Sequence, residues 1–343
     1  MLRSVRFLLC AGLLLAGQAP AFAGALERFV FERAEMGLPF RITLYAGSPD
    51  EARAAADAAF QRIAELNATL SDYDSDSELS RLSRTSGSGK AVPVGGDLWR
   101  VMERAQSLAQ QTDGAFDITV GPYVSLWRRA RRTKELPAPG VLAELRSRVG
   151  FQNVRLDPAA CTAELLAPEM RLDAGGIAKG YAVDEALAVL KRHGITRALV
   201  GGGGDMAAGE APPGEQGWRV EVAPLDVPSA PASEMVLLRH SAIATSGDVF
   251  QRVEIEGRRY SHIVDPRTGL GLTDHALVTI VAPDCLTADS VATAVSVLGP
   301  ARGVEFIETL PGVAAHCVRK PGEQTEVLQS ARWREVPKLT EQP

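Results

Sequence analysis

Asp289 and Thr293 stand four residues apart in the segment Leu286 to Leu298, whose Ala288, Val291, Ala292, Val295 and Leu298 recur at helical spacing. A helix in that register carries both side-chain oxygens on one face. A carboxylate and a hydroxyl, joined by a backbone carbonyl and phosphate oxygens, form the hard-oxygen set that suits a cation such as Mg²⁺. An exposed aspartate beside a threonine bonded back to its own helix would give the same letters. Charge separates the readings where a pyrophosphate is near. At an effective dielectric of about 20, like charges about 4 Å apart repel by about 4 kcal/mol, so a carboxylate facing phosphate requires an intervening cation.

Three further stretches could carry chemistry. Leu172-Asp173-Ala174-Gly175-Gly176-Ile177-Ala178-Lys179-Gly180 sets a glycine pair just before a helix and a lysine one turn in. Exposed N–H groups, the positive end of the helix dipole and an ammonium together suit a phosphate. A tight strand-to-helix turn would need the same glycines. The stretch is neither G-x-x-x-x-G-K-[ST] nor G-x-G-x-x-G, so the usual nucleotide loops are excluded. Gly201-Gly202-Gly203-Gly204-Asp205 comes directly after the run Thr196 to Val200 and brings backbone close to a ligand or to a neighbouring strand. Thr245-Ser246-Gly247-Asp248 precedes a hairpin carrying Tyr260 to Gly269, in which Asp265-Pro266-Arg267-Thr268-Gly269 is turn chemistry. His262 therefore falls near a strand end beside a sharp loop, where a histidine is either structural or a proton carrier. His193, His240, His275 and His316 are scattered without ligand spacing.

The elements that must hold these residues alternate between strands and amphipathic helices, with no solenoid repeat. Ser48-Pro49-Asp50-Glu51 is a capping box with proline at the first helical position, and Ala56, Ala59, Ile63, Leu66 and Leu70 extend it to a helix over about 49–70. A second helix is predicted over about 97–113, stopped by Gly114, and a third over about 177–193, stopped by Gly194 and succeeded by a strand at 196–200. Residues 250–254 and 259–264 flank Glu256-Gly257 as a hairpin, and Ala276 to Ala282 reads as a buried strand. Residues 211–217 and the proline-rich 224–233 read as surface loops, and the polar tail from about 321 as loosely held unless Trp333 docks.

In this order the motifs resemble the ApbE family of FAD:protein FMN transferases over nearly all of the chain. The marks are Met36-Gly37, Leu70-Ser71-Asp72-Tyr73 with Asp76 to Ser80, and Thr112 to Pro122. They continue through Asp173 to Asp184, Gly202 to Met206, Ala244 to Asp248, Ser261 to Gly269 and Ala288 to Ala294. Ser83 stands where the family often carries asparagine. The resemblance implies an α+β, T-fold-like fold of mixed and antiparallel sheets with packed helices, and FAD in a cleft between two lobes. It implies FAD contacts at Met36, Tyr73, Ala115, Phe116, Asp117, Asp173, Lys179, His262 and Ile263, and Mg²⁺ held by the Gly176 carbonyl, Asp289 and Thr293. The implied reaction moves FMN from FAD to a Thr or Ser hydroxyl of a partner protein and releases AMP, with His262 as candidate base. The rival readings are a Mg²⁺-dependent FAD pyrophosphatase and a non-catalytic FAD-binding maturation factor. The implied acceptor is a membrane-associated electron-transfer subunit facing the periplasm.

The first residues address the chain. Arg3 and Arg6, an apolar stretch and Ala21-Phe22-Ala23 read as a signal peptide cleaved after Ala23, with residues 24–343 as the enzyme domain and the periplasm as destination. Gln18 and Pro20 interrupt the apolar run well short of the roughly 20 residues a membrane span needs. Phe7-Leu8-Leu9 ahead of Cys10 argue against a lipid anchor. The net charge of −5 points to no nucleic-acid partner. Cys161, Cys285 and Cys317 lack metal-ligand spacing, and one disulfide among them is open to the mature chain.

Overall fold

A computed structural model of the chain describes residues 25–226, 234–247 and 251–339. The leader expected over 1–23, most of the proline-rich loop at 224–233 and the start of the expected hairpin at Phe250 lie outside the described residues. In chain order the elements are β1 (Glu27–Glu35), β2 (Leu38–Ala46), α1 (Pro49–Leu70), α2 (Glu78–Ser83), β3 (Val92–Pro93), α3 (Gly96–Gln111), α4 (Gly121–Thr133), α5 (Pro139–Leu145), β4 (Val154–Asp157) and β5 (Thr162–Leu165). Next come α6 (Ala178–Arg192), β6 (Ala198–Gly202), β7 (Asp205–Ala208), β8 (Trp218–Val222), β9 (Glu234–Leu238), β10 (Ser241–Gly247), β11 (Arg252–Ile255) and β12 (Arg258–Ser261). The last are β13 (Ala276–Ala282), α7 (Cys285–Leu298), α8 (Pro300–Glu308), β14 (Ala314–Arg319) and β15 (Glu326–Gln329).

Period-two alternation divides the strand residues between two layers. One antiparallel sheet runs β1-β2-β6-β7-β10-β13-β14-β15. Phe40, Ile42, Leu44, Val200, Val278 and Ile280 face α1, α6 and α7 and form the main core with them. Ile243, Val281 and Ala314 face the opposite side, where the β8–β9 hairpin and Trp333 cover them. A smaller cluster packs Tyr123 and Trp127 of α4 against Val253, Ile255 and Tyr260 of the β11–β12 hairpin. The mixed α+β expectation holds, and the strand pairings between named strands are antiparallel.

Two sequence expectations differ from the structure. The segment after Pro321 is docked: β15 pairs with β14 as the sheet edge, and Trp333 is fully buried, stacked on His316 with ring centroids 5.1 Å apart. Its polar letters belong to an edge strand that keeps one face wet, while a single aromatic anchors it. The hairpin turns at Glu256-Gly257, both at positive φ, but β12 stops at Ser261 rather than running on to Val264. The Ser261 N–H donates to the Leu272 carbonyl at 2.7 Å and the chain breaks into the Asp265–Gly269 loop, leaving His262 just beyond the strand. Cys161, Cys285 and Cys317 are all free thiols. No helix among the described residues is long and apolar enough to cross a membrane.

Candidate active site at the Lys179 end of the sheet

Two helices must touch before the site exists, and Gly180 lets them. A Cβ there would lie 2.2 Å from the Cys285 carbonyl oxygen and 2.8 Å from the Asp289 Cβ, so α6 and α7 cross with only a hydrogen between them. The crossing sets Lys179 beside Asp289: its Nζ lies 2.9 Å from Asp289 Oδ1 and 2.7 Å from Asp205 Oδ2. The Gly180 N–H donates to Asp289 Oδ2 at 3.0 Å. Asp205 opens β7 directly after the two-residue turn Gly203-Gly204, whose φ values of 63° and 102° call for glycine. Of the two readings of the glycine run, close packing is the one seen at Gly202, where a Cβ would strike the Phe40 ring at 2.5 Å. Met36-Gly37, at φ 51° and 75°, forms the neighbouring turn at the same sheet end, because Phe40 of β2 pairs with Gly202 of β6.

Asp205 and Asp289 are buried and share one ammonium. Burial, and next the nearby Asp289, push the Asp205 carboxyl up to about 7. Burial disfavours the Lys179 ammonium, yet the two carboxylates hold its pKa above the ordinary lysine value.

Gly176 brings the third helix-face residue in. A Cβ on Gly176 would meet Thr293 Oγ1 at 2.9 Å and the Phe116 ring at 3.4 Å. Ser290 and Ser296, on the same helix, donate back to the Leu286 and Ala292 carbonyls at 2.7 and 2.9 Å. Thr293 makes no such bond among the described residues, so its hydroxyl is available beside the Gly176 backbone. A buried carboxylate, an unengaged hydroxyl and a backbone carbonyl are hard oxygen donors, and this set fits Mg²⁺. Among the described residues no three His, Cys, Asp or Glu side chains converge as metal ligands. The Asp289 set has one carboxylate and takes its other donors from a hydroxyl and the main chain.

The remaining candidates sit on neighbouring loops, where the Asp173 N–H donates to the Ile118 carbonyl at 2.7 Å. Asp173 Oδ1 accepts from the Gly175 N–H at 2.8 Å, and burial together with the neighbouring Asp72 pushes its carboxyl up to about 6. Arg128 of α4 donates to Asp72, reaches Asp173 Oδ2 at 3.2 Å, and lies over the exposed Tyr73 ring at 3.9 Å. Phe116 is buried, not exposed as a stacking platform, and Ala115 packs with Ile263 and Val297. Asp117 faces inward and accepts from the Thr119 N–H and hydroxyl at 2.8 and 2.7 Å, which fixes the 115–119 loop. Ser83, at the departure from the family pattern, accepts from the Leu172 N–H at 3.0 Å and steadies the start of the Asp173 loop. Arg128, Asp72 and Asp205 escaped the sequence reading as site residues. Arg128 is one of several basic residues late in α4, and only the fold singles it out.

His262 lies 3.1 Å, through Nδ1, from the Gln251 carbonyl. A carbonyl only accepts, so Nδ1 carries the proton and Nε2 keeps a lone pair. Burial lowers the ring's pKa to about 4, and the charges of Arg131 and Lys179 add to the effect. Ile263 beside it lines a cavity of about 210 Å³ with Ser261, Leu272 and Val297. A larger groove of about 960 Å³ lies elsewhere, between α3, α6 and the start of α7, lined by Trp99, Arg100, Tyr181 and Asp184. Convergence of chemistry, not volume, makes the Lys179 end the candidate site.

Known proteins carry the same arrangement of chain. The ApbE family model matches residues 36–317. The FAD:protein FMN transferase of Haemophilus influenzae is 32% identical over 252 residues, covering 72% of this chain and 73% of that protein. The Escherichia coli protein of the same name is 30% identical over 345 residues, 95% of each. The crystal structure of Pseudomonas stutzeri flavinyl transferase ApbE in its apo form superposes with a TM-score of 0.80 at 28% identity, covering 91% of this chain and 97% of that one. Flavin transferase ApbE from Vibrio cholerae superposes at 0.81 and 28% identity, covering 91% and 99%. On the extent of the family match and the near-complete coverage of these relatives, the chain belongs to the ApbE family.

Proposed function

We propose that the protein transfers FMN from FAD to a Thr or Ser hydroxyl of a partner protein and releases AMP, with Mg²⁺ held by Asp289, Thr293 and the Gly176 carbonyl. The observation that carries this reading is the convergence of Lys179, Asp205 and Asp289 with an unengaged Thr293 hydroxyl beside Gly176. When bound, Mg²⁺ supplies neutralisation of the charge that gathers on the phosphoryl oxygens and on departing AMP. Lys179 adds a positive charge next to the diphosphate. Met36, Tyr73, Ala115, Phe116, Asp117, Asp173 and Ile263 form the FAD walls, the buried ones by shaping backbone and Tyr73 by offering an open ring.

The acceptor oxygen bonds to the FMN-side phosphorus, the bond from that phosphorus to the bridging oxygen breaks, and the hydroxyl proton passes to His262 Nε2. A ring with a pKa near 4 is a weak base before substrate binds. The negative diphosphate offsets the Arg131 and Lys179 charges and raises its proton affinity where it is needed. We propose further that residues 1–23 are a cleaved export signal, that 24–343 form the catalytic domain, and that the acceptor is a membrane-associated redox subunit on the periplasmic side.

The test incubates the protein with FAD, Mg²⁺ and a candidate acceptor. An acceptor mass gain equal to FMN, with stoichiometric AMP, is expected. Release of free FMN and AMP beside an unmodified acceptor would establish hydrolysis instead. Asp289→Ala is expected to abolish transfer with the fold intact, and full activity in that variant removes the metal assignment.

A further inference from the structure

Lys179 is attached to the proposed metal ligand itself, and that contact has to end when a cation arrives. Its Nζ bridges Asp289 Oδ1 at 2.9 Å and Asp205 Oδ2 at 2.7 Å. An ammonium and a divalent ion cannot share one carboxylate at such range without strong repulsion. Lys179 is not free to retreat into water either, because its side chain is only 24% exposed. Asp205 is the other end of the bridge. It is 2% exposed and fixed at the start of β7.

We propose that Asp205 is a positioning residue that holds Lys179 off Asp289, so that the Lys179–Asp205 pair acts as an internal counter-ion which the incoming divalent cation displaces from the metal ligand. The proposal rests on the metal reading above and gives it a second layer. Without the cation, two buried carboxylates share one positive charge, and Lys179 spans both. With the cation on Asp289, Lys179 rotates onto Asp205 alone and its ammonium is left beside the diphosphate. Nothing in this exchange makes or breaks a covalent bond, and the net charge of the cluster rises by two as the cation enters. Lys179 therefore competes with the metal, and Asp205 relieves the competition.

Calorimetric titration of Mg²⁺ alone into the metal-stripped full chain, with no FAD present, reads this directly. Lys179→Met is expected to tighten Mg²⁺ binding about ten-fold, because the competing cation is gone. Asp205→Asn is expected to weaken it about ten-fold, because Lys179 then leans on Asp289 alone. The two effects must be coupled: Asp205→Asn should cost much less in the Lys179→Met background than in the wild type. Near-UV circular dichroism checks that each variant is folded, and Lys179→Gln replaces Lys179→Met if the latter is not. Unchanged or weaker binding in the folded Lys179 variants overturns the proposal. Equal effects of Asp205→Asn in both backgrounds overturn it as well, since Asp205 would then act only as a distant charge. Asp289→Ala separates this failure from that of the metal reading. If Asp289→Ala binds Mg²⁺ as the wild type does, the metal site itself is wrong. If it loses binding while Lys179→Met gains none, only the positioning role falls.

Discussion

At the scale of single residues, His262 shows how placement rather than type decides chemistry. The Gln251 carbonyl holds Nδ1, and burial with Arg131 and Lys179 nearby keeps the ring neutral at pH values where an ordinary histidine takes a proton. In labelled protein without FAD, the imidazole is expected to titrate near pH 4, read by NMR and assigned through His262→Gln; a midpoint near the usual 6.5 would remove the case for a poised neutral ring. The unfolded chain protonates at about 6.5 and the folded one only near 4, so stability falls as pH drops through that window, a loss His262→Gln should not show. For turnover, His262→Ala is expected to lower kcat by roughly 10²–10⁴-fold. The histidine was legible in the sequence beside its Asp-Pro turn, as was the Asp289 and Thr293 spacing. Its tautomer, the Lys179 bridge and the role of Asp205 were not. Each depends on a partner 11 to 110 residues away, where no local pattern reaches.

Among elements, the crossing of α6 and α7 at Gly180 governs the site, since these helices carry Lys179 on one side and Asp289 with Thr293 on the other. Gly180→Ala must push a Cβ into the Cys285 carbonyl, and overpacking of this kind costs about 1–3 kcal/mol. The variant is expected to lose stability in urea melts and transfer activity together. A stable Gly180→Ala enzyme of normal activity would show that the helices can slide apart without harm to the site. Asp184 ties the same helices at a second point, accepting from the Cys285 and Leu286 N–H groups at 2.9 and 2.8 Å. Burial pushes its carboxyl up to about 6, so the protonated form favours the folded state most fully below the ordinary value of 3.8 and the benefit is lost as pH rises through 6. Wild type should therefore gain stability relative to Asp184→Asn between pH 7 and 5, and a constant gap in urea midpoints would contradict the buried carboxyl. The helices themselves were readable because their signals are local: α1 spans Pro49–Leu70 as its cap and apolar spacing indicate, with Ser48 accepting from the Glu51 N–H at 3.3 Å. The strand order was not, because β2 pairs with β6 across the whole of α1 to α6 and nothing in either strand names the other.

For the whole molecule, the C-terminal segment closes the architecture that the helices leave open. One face of the main sheet is covered by α1, α6 and α7, and the other, among the described residues, by the β8–β9 hairpin, by Leu225 and by the C-terminal residues Trp333 and Val336. Trp333 is the largest side chain that the C-terminal segment places on that second face. Its indole is fully buried, stacks on His316, donates from Nε1 to Glu234 at 3.3 Å, and has Lys338 5.5 Å above its ring. The polar run around it disguised this, since one aromatic in an otherwise hydrophilic tail gives no periodic pattern to read. Replacing a buried tryptophan by alanine removes its transfer energy and leaves a cavity, about 3–5 kcal/mol where the surroundings cannot collapse. Against a stability of about 5–15 kcal/mol for a typical native protein, that loss is large. Trp333→Ala is therefore expected to lower the urea midpoint markedly while Lys179, Asp289 and Thr293, carried by helices on the opposite face, keep their arrangement. Transfer activity measured well below the melting point should stay near that of the wild type. An unchanged midpoint would mean that the second face does not depend on its aromatic anchor, and a collapse of activity without loss of stability would mean that the tail reaches the site by a route the fold does not provide.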